Sequence, residues 1–145
     1  MKYKAITIIN TIIFILTILA GFLFAGMYLF RPEFMPYHEV AVGMPWNEIS
    51  PEFQILLIAL LRVGGGGWLA TSVGMSILLL WPYRYGKFWP NYGIPAIALS
   101  ALIPTFIATL YVKQNTTANP PWLLAAILIG LMIISILLSV IFRRR

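Results

Sequence analysis

Four apolar runs constrain this chain more than any other feature. Residues 6–29, 53–80, 92–112 and 122–142 each reach the ~20 residues that a helix needs to cross a hydrocarbon layer. Prolines and charges break the chain between them, in R-P-E-F-M-P, W-P-Y-R-Y-G-K-F-W-P-N and K-Q-N-T-T-A-N-P-P. Inside lipid every backbone N–H and C=O needs an internal partner, and a helix supplies all of them. The runs predict an all-α, integral membrane bundle of four transmembrane helices, one domain over residues 1–145. Only 10% of the residues are charged, against about 25% in a soluble domain, too few to solvate a water-facing surface. Cysteine is absent, which excludes disulfides, thiolate metal sites, Cys nucleophiles and iron–sulfur clusters.

The net charge of +6 is explained by topology and not by nucleic-acid binding. Lys2, Lys4, Arg84, Lys87 and Arg143 to Arg145 fall on one side of the bundle, against Arg31 and Lys113 on the other. Basic residues collect on the cytoplasmic face, so both termini are expected inside. Trp81, Tyr83, Tyr85 and Trp89 mark one boundary, and Tyr28, Tyr111 and Trp122 the other. The first run follows Lys2 and Lys4 as a signal peptide would. It is longer than the ~7–15 apolar residues of such a segment, and no A-x-A site follows. An uncleaved helix is expected. In the third run Pro95 sits in the first turn, while Pro104 is interior and should kink the helix.

All four carboxylates, Glu33, Glu39, Glu48 and Glu52, fall between the first two runs, as does the single histidine, His38. The same stretch carries Phe34, Met35, Tyr37, Met44, Trp46 and Ile49. A connection this long and this apolar is expected to order itself. We expect residues 31–51 to fold back as an extracytoplasmic cap over the helix ends. Ser50 as N-cap, Pro51 at the first helical position and Glu52 in the first turn then start the second long helix.

That helix contains R-V-G-G-G-G at residues 62–67. From Pro51 to Leu80 it would be about 45 Å long, more than the membrane core requires. Arg62 therefore comes near the outer edge of the hydrocarbon. Side chains on a helix lean toward its N-terminus, so Arg62 is expected to reach toward the cap, with Glu33, Glu39 and Glu48 as ion-pair candidates. Glu52 is about 280° away around the helix and a poor partner. Membrane helices associate through close contact at small residues. Gly66, Ala70 and Gly74 recur at i, i+4, i+8, and the first run offers Gly21 and Ala25 at the same spacing. These residues are expected to form the seam between the first two spans. Arg62 would stand at the top of that groove, either as a structural charge or as the holder of an anionic ligand head.

Catalytic chemistry has little support. One histidine with scattered glutamates is a thin ligand set, and no paired-histidine spacing is present. No nucleophile or oxyanion arrangement is recognisable. The spans contain no carboxylate, which argues against an ion-coupled exporter.

The segments F-R-P-E-F-M-P-Y-H, L-R-V-G-G-G-G-W-L-A and P-P-W before the last run resemble a group of uncharacterised small bacterial four-helix inner-membrane proteins. The Arg followed by glycines is also similar to the broad DoxX-like set. That resemblance implies association with respiratory or redox membrane complexes and carries over no catalytic residue. The expected function is a non-enzymatic binding or accessory subunit that uses its outer face and Arg62, with His38 and the cap glutamates as further ligand candidates. The alternative is a small transporter or membrane enzyme handling an amphiphilic, lipid-like anionic substrate. Expected partners are membrane lipid, an amphiphilic ligand, or a partner membrane protein, which includes a second copy of the chain. No cofactor, metal or nucleic acid is expected.

Overall fold

The computed structural model describes residues 2–143. It contains α1 (Lys2–Phe30), α2 (Pro36–Val42), α3 (Pro51–Leu78), α4 (Pro90–Asn115) and α5 (Trp122–Arg143). A short 3-10 turn at Trp46–Glu48 precedes α3, and a π-helical turn at Leu79–Tyr83 extends it. Four helices are long and apolar enough to span a membrane: Lys4–Phe30, Pro51–Tyr83, Pro90–Asn115 and Trp122–Ile141. The fold is a multi-pass helical bundle. Arg144 and Arg145, part of the expected basic tail, lie outside the described residues.

Local sequence explains the element ends. α1 stops at Phe30 because Pro32 disfavours helical dihedrals at Arg31. α2 closes on Gly43, whose φ of 73° suits a left-handed cap and whose N–H donates to the Glu39 carbonyl at 2.9 Å. Ser50 does occupy the N-cap of α3, with Pro51 next, yet its hydroxyl caps no backbone N–H. α4 runs through both Pro95 and Pro104. Proline has no N–H to give, so Ser100 loses the helical partner of its carbonyl at Pro104.

The long helices pack as a ring. α1 lies against α3 and α5, and α4 closes the ring between α3 and α5. Phe14, Met75, Ile94, Leu102 and Met132 are fully buried at its centre, joined by Ile13, Ile18, Ala98 and Leu128. Each helix gives one stripe to this core and turns the rest outward. Leu23, Ile55, Val63 and Ile107 are among the large apolar side chains left exposed, as expected where lipid is the solvent.

The α1–α3 seam forms as expected, but on a different face of α3. Gly65 is the buried glycine of the run. A Cβ added there would fall 2.9 Å from the Leu29 backbone nitrogen and 3.0 Å from Tyr28 Cβ. Lower down, Gly21 meets Ser72, and Ala25 is buried. Gly66 has nothing within 4 Å of its Cβ position, Ala70 is exposed, and Gly74 looks toward Ile97 of α4 at 3.9 Å. The expected Gly66–Ala70–Gly74 stripe is thus off the seam. The large side chains choose the face. Trp68 stacks on Phe24 with ring centroids 5.4 Å apart, and Met75 is fully buried. Residues 65, 68, 72 and 75 follow one helical stripe, which turns Gly66 away by about 100°.

Candidate functional site

Between α1 and α3 the chain folds into α2 and the 3-10 turn. Phe34, Met35 and Ile49 are buried, whereas Met44 stays exposed. Phe34 packs edge-on against Trp46 with centroids 4.9 Å apart. The Gln54 amide donates to the Trp46 carbonyl at 2.8 Å and to the Ile49 carbonyl at 3.0 Å, fastening the cap to the first turn of α3. Sequence reasoning gave Gln54 no role; it is a polar side chain on the helix face that the cap covers.

Arg62 is exposed and makes no ion pair among the described residues. The ion pair there joins Arg31 to Glu33 at 3.7 Å, between half-exposed side chains. Glu33 is two residues from Arg31, so little chain has to be ordered to bring them together. Glu39 and Glu48 are exposed on α2 and on the 3-10 turn. The expected Arg62–glutamate contact is therefore not made. Arg62 instead lines a groove of about 460 Å³ with Pro32, Trp46, Gln54 and Ile58.

His38 lies elsewhere, on α2. Its Nδ1 accepts the Met35 N–H at 3.2 Å, and its ring packs on Tyr37 with centroids 4.1 Å apart. Burial lowers its pKa below the ordinary value, so the imidazole is neutral at pH 7. With Nδ1 accepting, the proton resides on Nε2, which is a donor. The Tyr28 and Tyr37 hydroxyls are 2.8 Å apart. Burial first, and Tyr28 second, push the Tyr37 phenol far above its usual range, so it too stays neutral. One hydroxyl hydrogen joins the two tyrosines, and the other remains to be donated.

These three residues sit at the top of a long groove along α3, bounded by α1 and α2 above and by α4 below. Three adjoining cavities of about 290, 260 and 350 Å³ all share Gly64. The first lies beneath α2 and is walled by Phe34, Val42, Leu57 and Leu61. The second holds Tyr28, Tyr37 and His38 with Trp68 and Thr109. The third descends along Gly67 and Thr71 against Ser100 and Thr105. A Cβ at Gly67 would meet nothing within 4 Å, and one at Gly64 only Tyr28 Cδ1 at 3.8 Å. The hydroxyls in the lower groove donate within their own helices: Thr71 to Gly67, Ser100 to Ile97, Thr105 to Ala101 and Thr109 to Thr105, each at 2.7–2.8 Å. Their donors are spent on carbonyls, so the lower groove offers acceptor oxygens but no free hydroxyl donor.

The structure thus brings His38 together with Tyr28 and Tyr37, and leaves Arg62 in a separate groove with none of the glutamates beside it. Arg62 and Gly64 are two residues apart, or about 200° around the helix, so one face cannot present both. No family model, curated protein or solved structure matches this chain, and the geometry alone carries the functional argument.

Proposed function

We propose that this protein is a non-enzymatic membrane binding protein that holds an elongated amphiphile in the α3–α4 groove. The head carries an acceptor oxygen and meets His38 Nε2–H and a tyrosine hydroxyl. The tail lies along Gly64, Gly67 and Thr71. Isoprenoid quinones and fatty acids have this chemistry. The observation that carries the reading is the groove itself: three cavities joined at Gly64, apolar beneath α2, lined lower down by small residues whose hydroxyl donors are spent, with neutral donors gathered at one end. Sites for small amphiphiles combine an apolar lining with a few converging polar groups.

A second reading has its own observation. Arg62 is exposed and has no ion-pair partner among the described residues, and it stands beside Trp46 and Gln54, a setting suited to the anionic head of a membrane lipid at the hydrocarbon boundary. In both readings the chain resides in a bacterial plasma membrane with its termini inside and the cap outside. It presents the loaded ligand, or the cap surface, to a partner membrane protein, as the DoxX-like resemblance suggests.

Native mass spectrometry of wild type, Gly64→Leu and Arg62→Gln separates the two readings. We expect a defined added mass on wild type and Arg62→Gln that is lost from a folded Gly64→Leu. Loss from Arg62→Gln alone would move the ligand to the Arg62 groove. Three bare proteins would end both ligand readings and leave partner binding at the cap.

A further inference from the structure

The end of the bundle opposite the cap holds a cavity of a different kind. It encloses about 210 Å³ between α1, the π-helical turn, α4 and α5. Its floor is polar and lies inside the helices. Asn10 is 1% exposed and Ser139 3%. The Asn10 amide donates to Ser139 Oγ at 2.9 Å and to Asn91 Oδ1 at 3.2 Å. Asn91 donates in turn to the Phe88 carbonyl at 2.9 Å, and Ser139 to the Ser135 carbonyl at 2.9 Å. Both donors of Asn10 are used, but its buried Oδ1 has no hydrogen-bond partner among the described residues. Buried polar groups are nearly always paired. This floor is therefore an acceptor that calls for a donor.

The rim has the opposite need. Arg84 and Lys87 line the cavity and are exposed. Every acidic side chain lies between residues 33 and 52, at the capped end, so none stands near these cations. The rim also stands at headgroup depth. Trp81, Tyr85 and Trp89 around it are 69%, 73% and 53% exposed, which is how aromatic residues mark a membrane–water interface.

We propose that this cavity is a second binding site, for a phosphorylated headgroup that carries a hydrogen-bond donor beyond its phosphate. The phosphate meets Arg84 and Lys87. The donor, an ammonium or a hydroxyl, reaches the Asn10 carbonyl. Ethanolamine and glycerol headgroups satisfy both ends, and choline, which has no N–H, satisfies only the rim. The aromatic ring favours a lipid of the leaflet opposite the cap; a free phosphoethanolamine has the same chemistry.

The test is retention of lipid by the protein in nanodiscs of equal phosphatidylethanolamine and phosphatidylcholine with matched chains, read by native mass spectrometry. Wild type should keep ethanolamine lipid over choline lipid by roughly tenfold, the effect of one hydrogen bond to a buried acceptor. Asn10→Leu should bring the two to parity, and Arg84→Gln with Lys87→Gln should lower retention of both. Gly64→Leu should change neither. Displacement of the lipid by soluble phosphoethanolamine would support the site and assign it to the free head. Equal retention of the two lipids by wild type would overturn the proposal, and so would unchanged retention after the rim substitutions. Should Asn10→Leu fail to fold, the wild-type ratio and the rim variant decide between these outcomes.

Discussion

Gly65 faces α1, and Leu29 comes so close that a methyl group in its place would strike the backbone. Gly64, one residue earlier, faces a groove with space beyond it. The α1–α3 seam and the α3–α4 groove thus draw on one run of glycines and differ in what stands opposite. Across the seam, α1 presents Gly21, Ala25 and the Leu29 backbone, small enough for two helices to touch. Across the groove, α4 presents Ser100, Thr105 and Thr109, and Tyr28 of α1 lines the upper end with Tyr37 and His38 of α2. A small residue permits a close approach of two backbones and does not compel one. Where the neighbouring helix stands off, the same glycine leaves a cavity.

The largest effect that would break this comparison is a leucine at each of the two positions. Gly65→Leu should separate α1 from α3 and abolish the folded bundle, since it exceeds the ~1–3 kcal/mol that milder overpacking costs. Gly64→Leu should fold and lose the bound amphiphile. Thermal unfolding in detergent, read beside native mass spectrometry, checks both; equal destabilisation would mean that the groove closes in the membrane.

Alanine substitutions sharpen the contrast. Gly65→Ala should destabilise by about 1–3 kcal/mol. Gly66→Ala, with open space at its Cβ, should stabilise by about 0.5–1 kcal/mol through helix entropy. Unfolding in graded denaturing detergent gives both signs from one series.

The groove head should respond to acid and the seam should not. Burial lowers the folded pKa of His38, so the folded state resists its protonation. Stability is whole above the unfolded pKa, near ~6.5. It falls as pH drops through that value and levels off below the folded pKa. His38→Gln should flatten the step in a pH series of melting temperatures.

The smallest effect belongs to Arg62→Gln. With no ion pair to lose, its stability should stay within about 0.5 kcal/mol of wild type. A larger loss would show that Arg62 holds the cap in place.

Much of the architecture was legible because lipid imposes its own rules. The four spans, the ordered cap buried through Phe34, Met35 and Ile49, and the pairing of α1 with α3 all follow from run length, apolar loop residues and small-residue spacing. The face of α3 did not follow. Four adjacent glycines fit several registers, and the decision fell to Trp68 on Phe24 and to Met75 in the core. The Arg62–glutamate contact failed for a similar reason: Arg31 lies closer to Glu33 along the chain. Asn10 was visible as a polar residue within an apolar run, a costly thing that asks for a partner, but Asn91 and Ser139 are distant in sequence and only packing brings them to it.

By itself the sequence determined that this chain spans a membrane four times, because hydrocarbon leaves the backbone no alternative to a long helix. It also determined that the acids gather at one end and that the spans carry no carboxylate. Tertiary structure alone decided which glycine is a contact and which a cavity, and which polar groups converge. Those outcomes depend on what each helix meets across the gap, and a helix repeats its faces every 3.6 residues without naming its neighbour.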